Sequence, residues 1–259
     1  MRVNRGGSII DIVIITLTTD FGSTDTYAAQ MKGVILGIAP DAQIVDVTHQ
    51  VRPHDVVDGA FLLAQAVPAF PRGSVHVAVV DPGVGGAREP VIVETDDYFL
   101  VGPNNGLLSL AAPLYVGAYR IENPEFRRPR SSATFEGRDV FAPAAARLLM
   151  GARAFDAGPE VERLEPVEWH EPLGDAGQVV HIDRFGNLVT NFRAEHVAGA
   201  RSLVVGTLEA PLGRTYSDVG AGAPIAYVGS SGLVEIAMRE ASAAVWTAAQ
   251  RGTPVLVKR

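Results

Sequence analysis

The chain has 259 residues, of which 47% are hydrophobic and 20% are charged, and it carries a formal net charge of −7 and no cysteine. The lack of cysteine excludes a disulfide framework, a thiolate zinc site and a cysteine nucleophile. The acidic balance argues against a nucleic-acid partner, because affinity for nucleic acid comes mainly from a basic face that neutralises phosphates.

An apolar run over residues 9–17 is the first predicted element. Asp11 interrupts the run, which is much shorter than the roughly 20 residues that a membrane-spanning helix needs. The run therefore predicts a buried first strand at 12–17 behind a loose leader at 1–8. No other apolar stretch approaches the length of a membrane span, so we expect a cytoplasmic protein with no membrane partner.

The first part of the chain alternates strand and helix patterns. Valine-rich runs without clean alternation are typical of strands that helices bury on both faces, and apolar residues at helical spacing lie between these runs. Strands are predicted at 12–17, 43–47, 74–80 and 91–95, and helices at 26–38, 56–66 and 139–150. This order indicates an N-terminal α/β sheet domain, which we place over 9–160.

The segment 159–177 combines prolines, glycines and acidic residues without a sustained period, which predicts a linker. Beyond it, short strands at regular spacing are predicted at 178–183, 188–191, 202–205, 225–228, 233–237 and 254–257, with one helix at 241–249. We therefore expect a smaller, mostly-β C-terminal domain over 178–259.

Two acidic residues follow the predicted first strand. In an open α/β sheet, ligands bind beyond the carboxyl ends of the strands, where Asp20 can accept the hydroxyls of a ribose or bind a metal. Asp20 or Asp25 can equally cap the helix that begins near Thr26. Position along the chain leaves both interpretations open.

A glycine-rich loop follows the strand at 74–80, with Asp81 and Arg88 on either side of its three glycines. Such a loop can present N–H groups to an anion, but its spacing fits neither of the common phosphate-binding motifs. If the loop folds back, Asp81 and Arg88 meet. They then either orient a water over a pocket or form a structural ion pair across the turn, and both interpretations stay open.

Two further loops carry polar residues. Glu136 precedes a helix whose expected cap is Asp139, and an exposed loop glutamate is the favoured interpretation. Residues 183–187 join two strands, and Gly186 with Asn187 favours a hairpin turn, although Asn187 can alternatively read the edge of a base.

The scattered histidines contain no paired motif for zinc, and Ser230 lacks the context of a catalytic nucleophile.

Seven motifs occur in a characteristic order along the chain. They are Thr-Asp-Phe-Gly at 19–22, Met-Lys-Gly at 31–33, Asp-Val-Thr-His at 46–49, Val-Asp-Pro-Gly-Val-Gly at 80–85, Gly-Pro-Asn-Asn-Gly at 102–106, Gly-Arg-Asp-Val-Phe-Ala-Pro at 137–143 and Asp-Arg-Phe-Gly-Asn at 183–187. This order resembles the S-adenosyl-L-methionine hydroxide adenosyltransferases, which are related to the fluorinating and chlorinating enzymes.

The resemblance implies an N-terminal α/β domain, a C-terminal β-rich domain and a homotrimer. The active sites would lie between the N-terminal domain of one subunit and the C-terminal domain of the next. It implies that Asp20 holds the ribose hydroxyls, Phe135 stacks near the nucleoside, Asn187 reads the adenine edge and Phe185 lines the base pocket. It also implies that Asp25, Asp183 and Ser230 engage the amino-acid part of the substrate.

The implied reaction is attack of water on the ribose C5′ of S-adenosyl-L-methionine, which releases adenosine and L-methionine without a metal or an organic cofactor. Asp81 and Arg88 match two members of an Asp-Arg-His set that handles the water, whereas Glu136 stands at the position of the histidine. This departure leaves a non-catalytic protein that binds S-adenosylmethionine or adenosine as the alternative. Halogenation is not expected, because Asp81 would repel a halide.

Overall fold

The computed structural model describes residues 14–129 and 132–259, and its contacts divide the chain into two units, Met1–Glu168 and Trp169–Arg259. The predicted leader at 1–8 and the first residues of the predicted strand at 12–17 lie outside the described residues. Each unit forms a sheet, with two apolar cores in the first unit and one main core in the second.

The first unit contains a six-stranded sheet in the order β2-β1-β3-β5-β4-β6. The strands are β1 (Ile14–Thr19), β2 (Gln43–Thr48), β3 (Val75–Val79), β4 (Pro90–Glu94), β5 (Phe99–Pro103) and β6 (Gly117–Arg120). Strands β2, β1, β3 and β5 are parallel, whereas β4 runs antiparallel to both β5 and β6. The carboxyl ends of the parallel strands therefore share one edge of the sheet.

Helices cover both faces of this sheet. They are α1 (Tyr27–Ile38), α2 (Val56–Ala66) and α3 (Ala142–Leu149), together with a π-helical turn at Gly137–Phe141 and short 3-10 helices at Val67–Ala69, Ser109–Ala111, Pro124–Phe126 and Ala154–Ala157. Val77 of β3 packs into a core with residues of α1 and α3, while its neighbour Ala78 packs into a second core with residues of α2. This arrangement confirms the predicted α/β class.

The second unit is a seven-stranded antiparallel sheet in the order β10-β9-β13-β7-β8-β12-β11. Its elements are β7 (Ala176–Ile182), β8 (Leu188–Arg193), β9 (Ser202–Val205), β10 (Leu208–Pro211), β11 (Pro224–Val228), β12 (Leu233–Met238), α4 (Ala243–Thr247), β13 (Pro254–Lys258) and 3-10 helices at Ala194–Val197 and Tyr216–Asp218. A bridge between Leu212 and Ala226 joins the two edges of the sheet. The predicted mostly-β character is confirmed.

Two helix predictions need correction. The predicted helix at 139–150 is a π-helical turn from Gly137 followed by α3, and Asp139 lies inside that turn instead of capping it. Its buried carboxylate accepts from the Arg138 guanidinium at 2.7 Å through both oxygens. The predicted helix at 241–249 is only five residues long, because Ala248 adopts a left-handed conformation at φ 53° that ends it.

Strands β5, β6 and β10 were not predicted from the sequence. Strand β5 contains Gly102 and Pro103, which suggest a turn when they are considered alone. The structure instead requires glycine at 102, because a Cβ there would collide with the carbonyl oxygen of Ala78 in the neighbouring β3. Strands β6 (Gly-Ala-Tyr-Arg) and β10 (Leu-Glu-Ala-Pro) lack the β-branched residues that mark the short strands predicted from the sequence.

His76 in β3 is expected to make stability depend on pH. It is 1% exposed, its Nδ1 lies 2.8 Å from the Thr16 hydroxyl, and burial lowers its pKa from 6.5 to about 4. The unfolded chain protonates this histidine more readily than the folded chain does. The contribution of His76 to the free energy of unfolding is therefore complete above about pH 6.5. Up to about 3 kcal/mol of it is lost as the pH falls toward 4.

Urea unfolding between about pH 7 and pH 5 tests this prediction. The variant His76→Gln keeps a polar group at the site but cannot titrate in this range, so its free energy of unfolding is expected to change less with pH. Equal pH slopes for the two proteins would show that His76 does not carry the effect.

Candidate active site

The ends of two neighbouring parallel strands bring acidic residues to one edge of the first sheet. Asp20 follows β1 directly, and Asp81 lies two residues after the end of β3. Both line a cleft of about 650 Å³, and Phe135 and Glu136 line the same cleft. Four of the residues predicted from the sequence are therefore brought together in the first unit.

The loop that carries Asp20 is held by the segment that follows β2. One Asp20 carboxylate oxygen accepts from the backbone amide of His54 at 2.9 Å, and the Gly22 amide donates to the carbonyl of His49 at 2.7 Å. Neither acidic residue caps α1, because the helix follows Thr26, which makes no side-chain cap bond. The capping interpretation is therefore wrong for Asp20 and for Asp25, and Asp25 is exposed outside the cleft lining.

A chain of three polar side chains supports the loop that carries Asp20. The hydroxyl of Thr19 lies 2.8 Å from His49 Nδ1, and His49 Nε2 lies 3.1 Å from Asp46. Burial would raise the pKa of Asp46, but Lys32 and His49 more than offset that effect and lower it. Thr19 is fully buried and its oxygen accepts from the Phe21 amide, so the chain positions the loop.

Arg88 joins the buried carboxylates of two residues that line the cleft. Its Nε donates to Asp81 Oδ1 at 2.9 Å, a second guanidinium nitrogen contacts Asp81 Oδ2, and a third lies 2.5 Å from Glu136 Oε2. We call these three residues the Arg88 cluster. One positive charge faces two carboxylates, so the cluster carries an excess negative charge when both are ionised.

The environment keeps the guanidinium of Arg88 charged. Burial alone would lower its pKa, but the hydrogen bonds and charges of Asp81, and then of Glu136, more than offset burial and raise it. The Arg88 and Glu136 side chains are 11% and 5% exposed. The interpretation of Glu136 as an exposed loop residue is therefore wrong, because Arg88 supplies a partner that local sequence does not reveal.

Three aromatic rings form an apolar wall of the cleft. Phe21, Tyr27 and Phe135 lie with their ring centroids between 5.2 and 6.0 Å apart, and the Arg138 guanidinium lies 5.0 Å from the Phe135 ring. Phe21 and Tyr27 were not predicted from the sequence to line a site. The available signal was that Phe21 belongs to the motif at 19–22, which also holds Asp20.

The hairpin between β7 and β8 holds three of the predicted residues of the second unit. The predicted turn is confirmed: Gly186 has φ 84°, and Asp183 Oδ1 accepts from the amides of Phe185 and Asn187 at 2.9 and 2.8 Å. Phe185 and Asn187 line a cavity of about 460 Å³ together with Tyr216, Met238, Glu240 and Ala241. We call it the hairpin cavity.

Ser230 does not join this group. It is exposed in the turn between β11 and β12 and lies outside the lining of the hairpin cavity.

Over residues 14–129 and 132–259, no cluster of three histidine or acidic side chains is arranged to hold a metal ion. In the same ranges, no helix has the length and apolarity to cross a membrane.

The chain combines an α/β unit that has acidic residues at its strand ends with an antiparallel β unit that has a polar hairpin. This combination places the chain in a class of two-domain proteins. Residues 15–158 match the family model for the N-terminal domain of S-adenosyl-L-methionine hydroxide adenosyltransferases, and residues 177–256 match that for their C-terminal domain. The chain therefore belongs to the S-adenosyl-L-methionine hydroxide adenosyltransferase family.

Individual relatives agree with this assignment. The chain is 44% identical over 242 residues to an (R)-S-adenosyl-L-methionine hydrolase of Salinispora arenicola, with 89% of this chain and 92% of the relative covered. It is 30% identical to a fluorinase of Nocardia brasiliensis, with 95% and 96% covered. A crystal structure of a conserved protein from Thermotoga maritima superposes with a TM-score of 0.88 at 31% identity, over 94% of this chain and 99% of that one.

Proposed function

We propose that this protein hydrolyses S-adenosyl-L-methionine by attack of water on the ribose C5′, giving adenosine and L-methionine. The observation that carries the proposal is the Arg88 cluster, which places two carboxylates and a guanidinium beside a cleft of substrate size. Relatives that are 41% to 44% identical to this chain are named (R)-S-adenosyl-L-methionine hydrolase. A binding protein without turnover is not favoured, because Glu136 joins the cluster.

The reaction needs alignment and a proton acceptor. The water oxygen forms a bond to C5′ while the C5′–S bond breaks, and its electron pair leaves with the sulfur as a neutral thioether, so no acid is required. Holding oxygen, carbon and sulfur in line contributes roughly 7 kcal/mol or more when the geometry is good. The proton that water loses passes to a carboxylate and then to solvent.

We assign the role of proton acceptor to Glu136. Both oxygens of Asp81 contact the Arg88 guanidinium as a bidentate pair, so this carboxylate serves to orient Arg88. Glu136 meets the same guanidinium through Oε2, and Arg88 stabilises the negative charge that develops on the water. The net negative charge of the cluster disfavours a halide as the nucleophile.

Substrate binding is assigned by family membership, and for the four residues that line the two cavities also by position. In this proposal Asp20 holds the ribose hydroxyls, Phe135 stacks near the nucleoside, Asn187 reads the adenine and Phe185 lines the base pocket. Asp25, Asp183 and Ser230 engage the amino-acid part of the substrate. No metal or organic cofactor is needed, and we place the enzyme in the cytoplasm.

Replacement of Asp20 by alanine is expected to weaken the binding of adenosine by about 1.5–3 kcal/mol, as for the loss of a charged hydrogen-bond acceptor. Titration calorimetry with adenosine measures the effect. Asp20→Asn is the matched control, because its side-chain oxygen can still accept from the His54 amide. Unchanged affinity in the alanine variant would return Asp20 to a structural role.

We further propose a homotrimer in which residues of the first unit of one subunit and the second unit of the next bind one substrate. Two observations support a divided site: Asp20 and Glu136 line a cleft of the first unit, and Asn187 lines the hairpin cavity of the second. Light scattering is expected to give three times the 27.4 kDa chain mass. A fully active monomer would contradict the shared site.

Incubation with S-adenosyl-L-methionine and separation of the products by chromatography test the proposed reaction. Adenosine and methionine in equal amounts, with oxygen-18 from labelled water in the 5′-hydroxyl of adenosine, are the expected result. Bound but unchanged substrate would instead support the binding protein. Label recovered only in another position would exclude attack at C5′.

A further inference from the structure

The side-chain amide of Asn187 has a restricted hydrogen-bonding role. Its Nδ2 donates to Asp183 Oδ2 at 2.7 Å and to the Tyr216 hydroxyl at 2.8 Å. An amide nitrogen carries two hydrogens, and both are used in these bonds. The oxygen Oδ1 is therefore the amide atom that remains to bind a ligand in the hairpin cavity, and it can only accept.

A chain of hydroxyl groups continues from Asn187. The Tyr227 hydroxyl lies 2.7 Å from the Tyr216 hydroxyl and 2.9 Å from Glu235 Oε2. A hydroxyl has one hydrogen and an ionised carboxylate only accepts, so Tyr227 donates to Glu235 and Tyr216 donates to Tyr227. All the hydrogens then point from Asn187 toward Glu235. We call Tyr216, Tyr227 and Glu235 the tyrosine relay.

The fold holds the carboxylate end of the relay in place. Tyr227 and Glu235 are directly paired residues of β11 and β12, and β12 also pairs with β8, which begins just after Asn187. The Glu235 carboxylate packs so closely over Gly229 that a side chain at 229 would collide with it. Burial raises the pKa of Tyr227, which keeps this hydroxyl a neutral donor.

The rest of the hairpin cavity suits a flat ring. Phe185 is 78% exposed, and Met238 and Ala241 add apolar surface to the same cavity. Aromatic side chains in such a position commonly stack on bases. An apolar surface beside the Asn187 acceptor fits a heterocycle that presents an N–H donor at its edge.

We propose that the tyrosine relay positions Asn187 as an acceptor, so that the hairpin cavity selects a purine with an exocyclic amino group over one with a carbonyl at the same place. This inference deepens the proposed function and rests on it for the assignment of Asn187 to the base. A carbonyl group would face the Asn187 oxygen with no hydrogen between them. Tyr227 and Glu235 act through Asn187 and are positioning residues, whereas Tyr216 also lines the hairpin cavity.

Binding of adenosine and of inosine to the full-length protein tests the relay. Burial raises the pKa of Glu235, so titration calorimetry is run at about pH 8, which favours the ionised carboxylate. The wild type is expected to bind adenosine at least about tenfold more tightly than inosine. Tyr227→Phe and Glu235→Gln are expected to reduce this ratio to about threefold or less, mainly by weakening adenosine.

Tyr98→Phe is the matched control. It also removes a tyrosine hydroxyl that makes a hydrogen bond, to the carbonyl of Ala111 in the first unit, and it is expected to leave the ratio unchanged. If Tyr227→Phe does not fold, Tyr216→Phe breaks the relay at a side chain that is 37% exposed. With S-adenosyl-L-methionine, the relay variants are expected to raise KM with little change in kcat.

Two results would overturn the inference: equal binding of adenosine and inosine by the wild type, or an unchanged ratio in a folded relay variant. The reaction itself is a separate measurement. If the wild type prefers adenosine but releases none from S-adenosyl-L-methionine, the proposed reaction fails and the relay stands. If it releases adenosine while the relay variants keep the full preference, the relay fails and the proposed reaction stands.

Discussion

Replacement of Arg88 by methionine is expected to remove turnover and to destabilise the protein. Methionine fills a similar volume but leaves Asp81 and Glu136 buried together without a positive charge. Breaking a buried ion pair in this way costs about 3–5 kcal/mol of unfolding free energy. We expect the single-turnover release of adenosine to fall by at least about 10³-fold, because charge stabilisation and the alignment of the water are lost together.

Arg120 provides a matched control. It also bridges two carboxylates, those of Glu89 at 2.5 Å and Glu122 at 2.8 Å, but its side chain is 37% exposed. Solvent screens such surface pairs, so Arg120→Met is expected to cost about 1 kcal/mol or less. Urea unfolding and adenosine release are measured for both variants. An Arg88→Met protein with the stability and turnover of the wild type would remove the Arg88 cluster from both roles.

Arg88→Lys separates the charge from the shape of the side chain. Lysine retains one positive charge but cannot contact Asp81 and Glu136 through a planar fork. We expect this variant to recover part of the stability that methionine loses and little of the turnover. Full recovery of turnover by lysine would mean that charge alone is sufficient.

Glu136→Gln is expected to lower kcat by about 10²-fold, as for the loss of a general base. The amide keeps the shape of the side chain and can still accept from Arg88, so binding of S-adenosyl-L-methionine should change little. Glu136→His introduces the histidine of the Asp-Arg-His set that the resemblance implies, and it is expected to keep or raise turnover. Together, the two variants distinguish the effect of losing a proton acceptor from the effect of changing the side-chain volume.

The measurement is single-turnover adenosine release between about pH 5 and 9, with substrate binding determined separately. Glu122→Gln is the control, because it neutralises a carboxylate that contacts Arg120 instead of Arg88. If glutamine at 136 turns over as fast as glutamate at every pH, Glu136 is not the base. Asp81, which contacts Arg88 through both carboxylate oxygens, would then be the proton acceptor.

The amino-acid sequence by itself determined the class of fold. Buried strands such as β3 and amphipathic helices such as α2 are marked by the local spacing of apolar residues, and the hairpin at 183–187 by its turn residues. The order of the motifs was sufficient to indicate the family. Each of these signals lies within a few consecutive residues or in their order, so no tertiary contact is needed to detect it.

Only the tertiary structure decided how the candidate site is built. Glu136 is buried because the chain returns to Arg88 after β4, β5 and β6, and no local pattern contains that contact. Asp20 accepts from the His54 amide for the same reason. Apolar periodicity reports which side of an element is buried, whereas an ion pair or hydrogen bond between distant segments depends on strand order and loop path. The contacts that make a cleft chemically specific therefore appear only when the sheet is assembled.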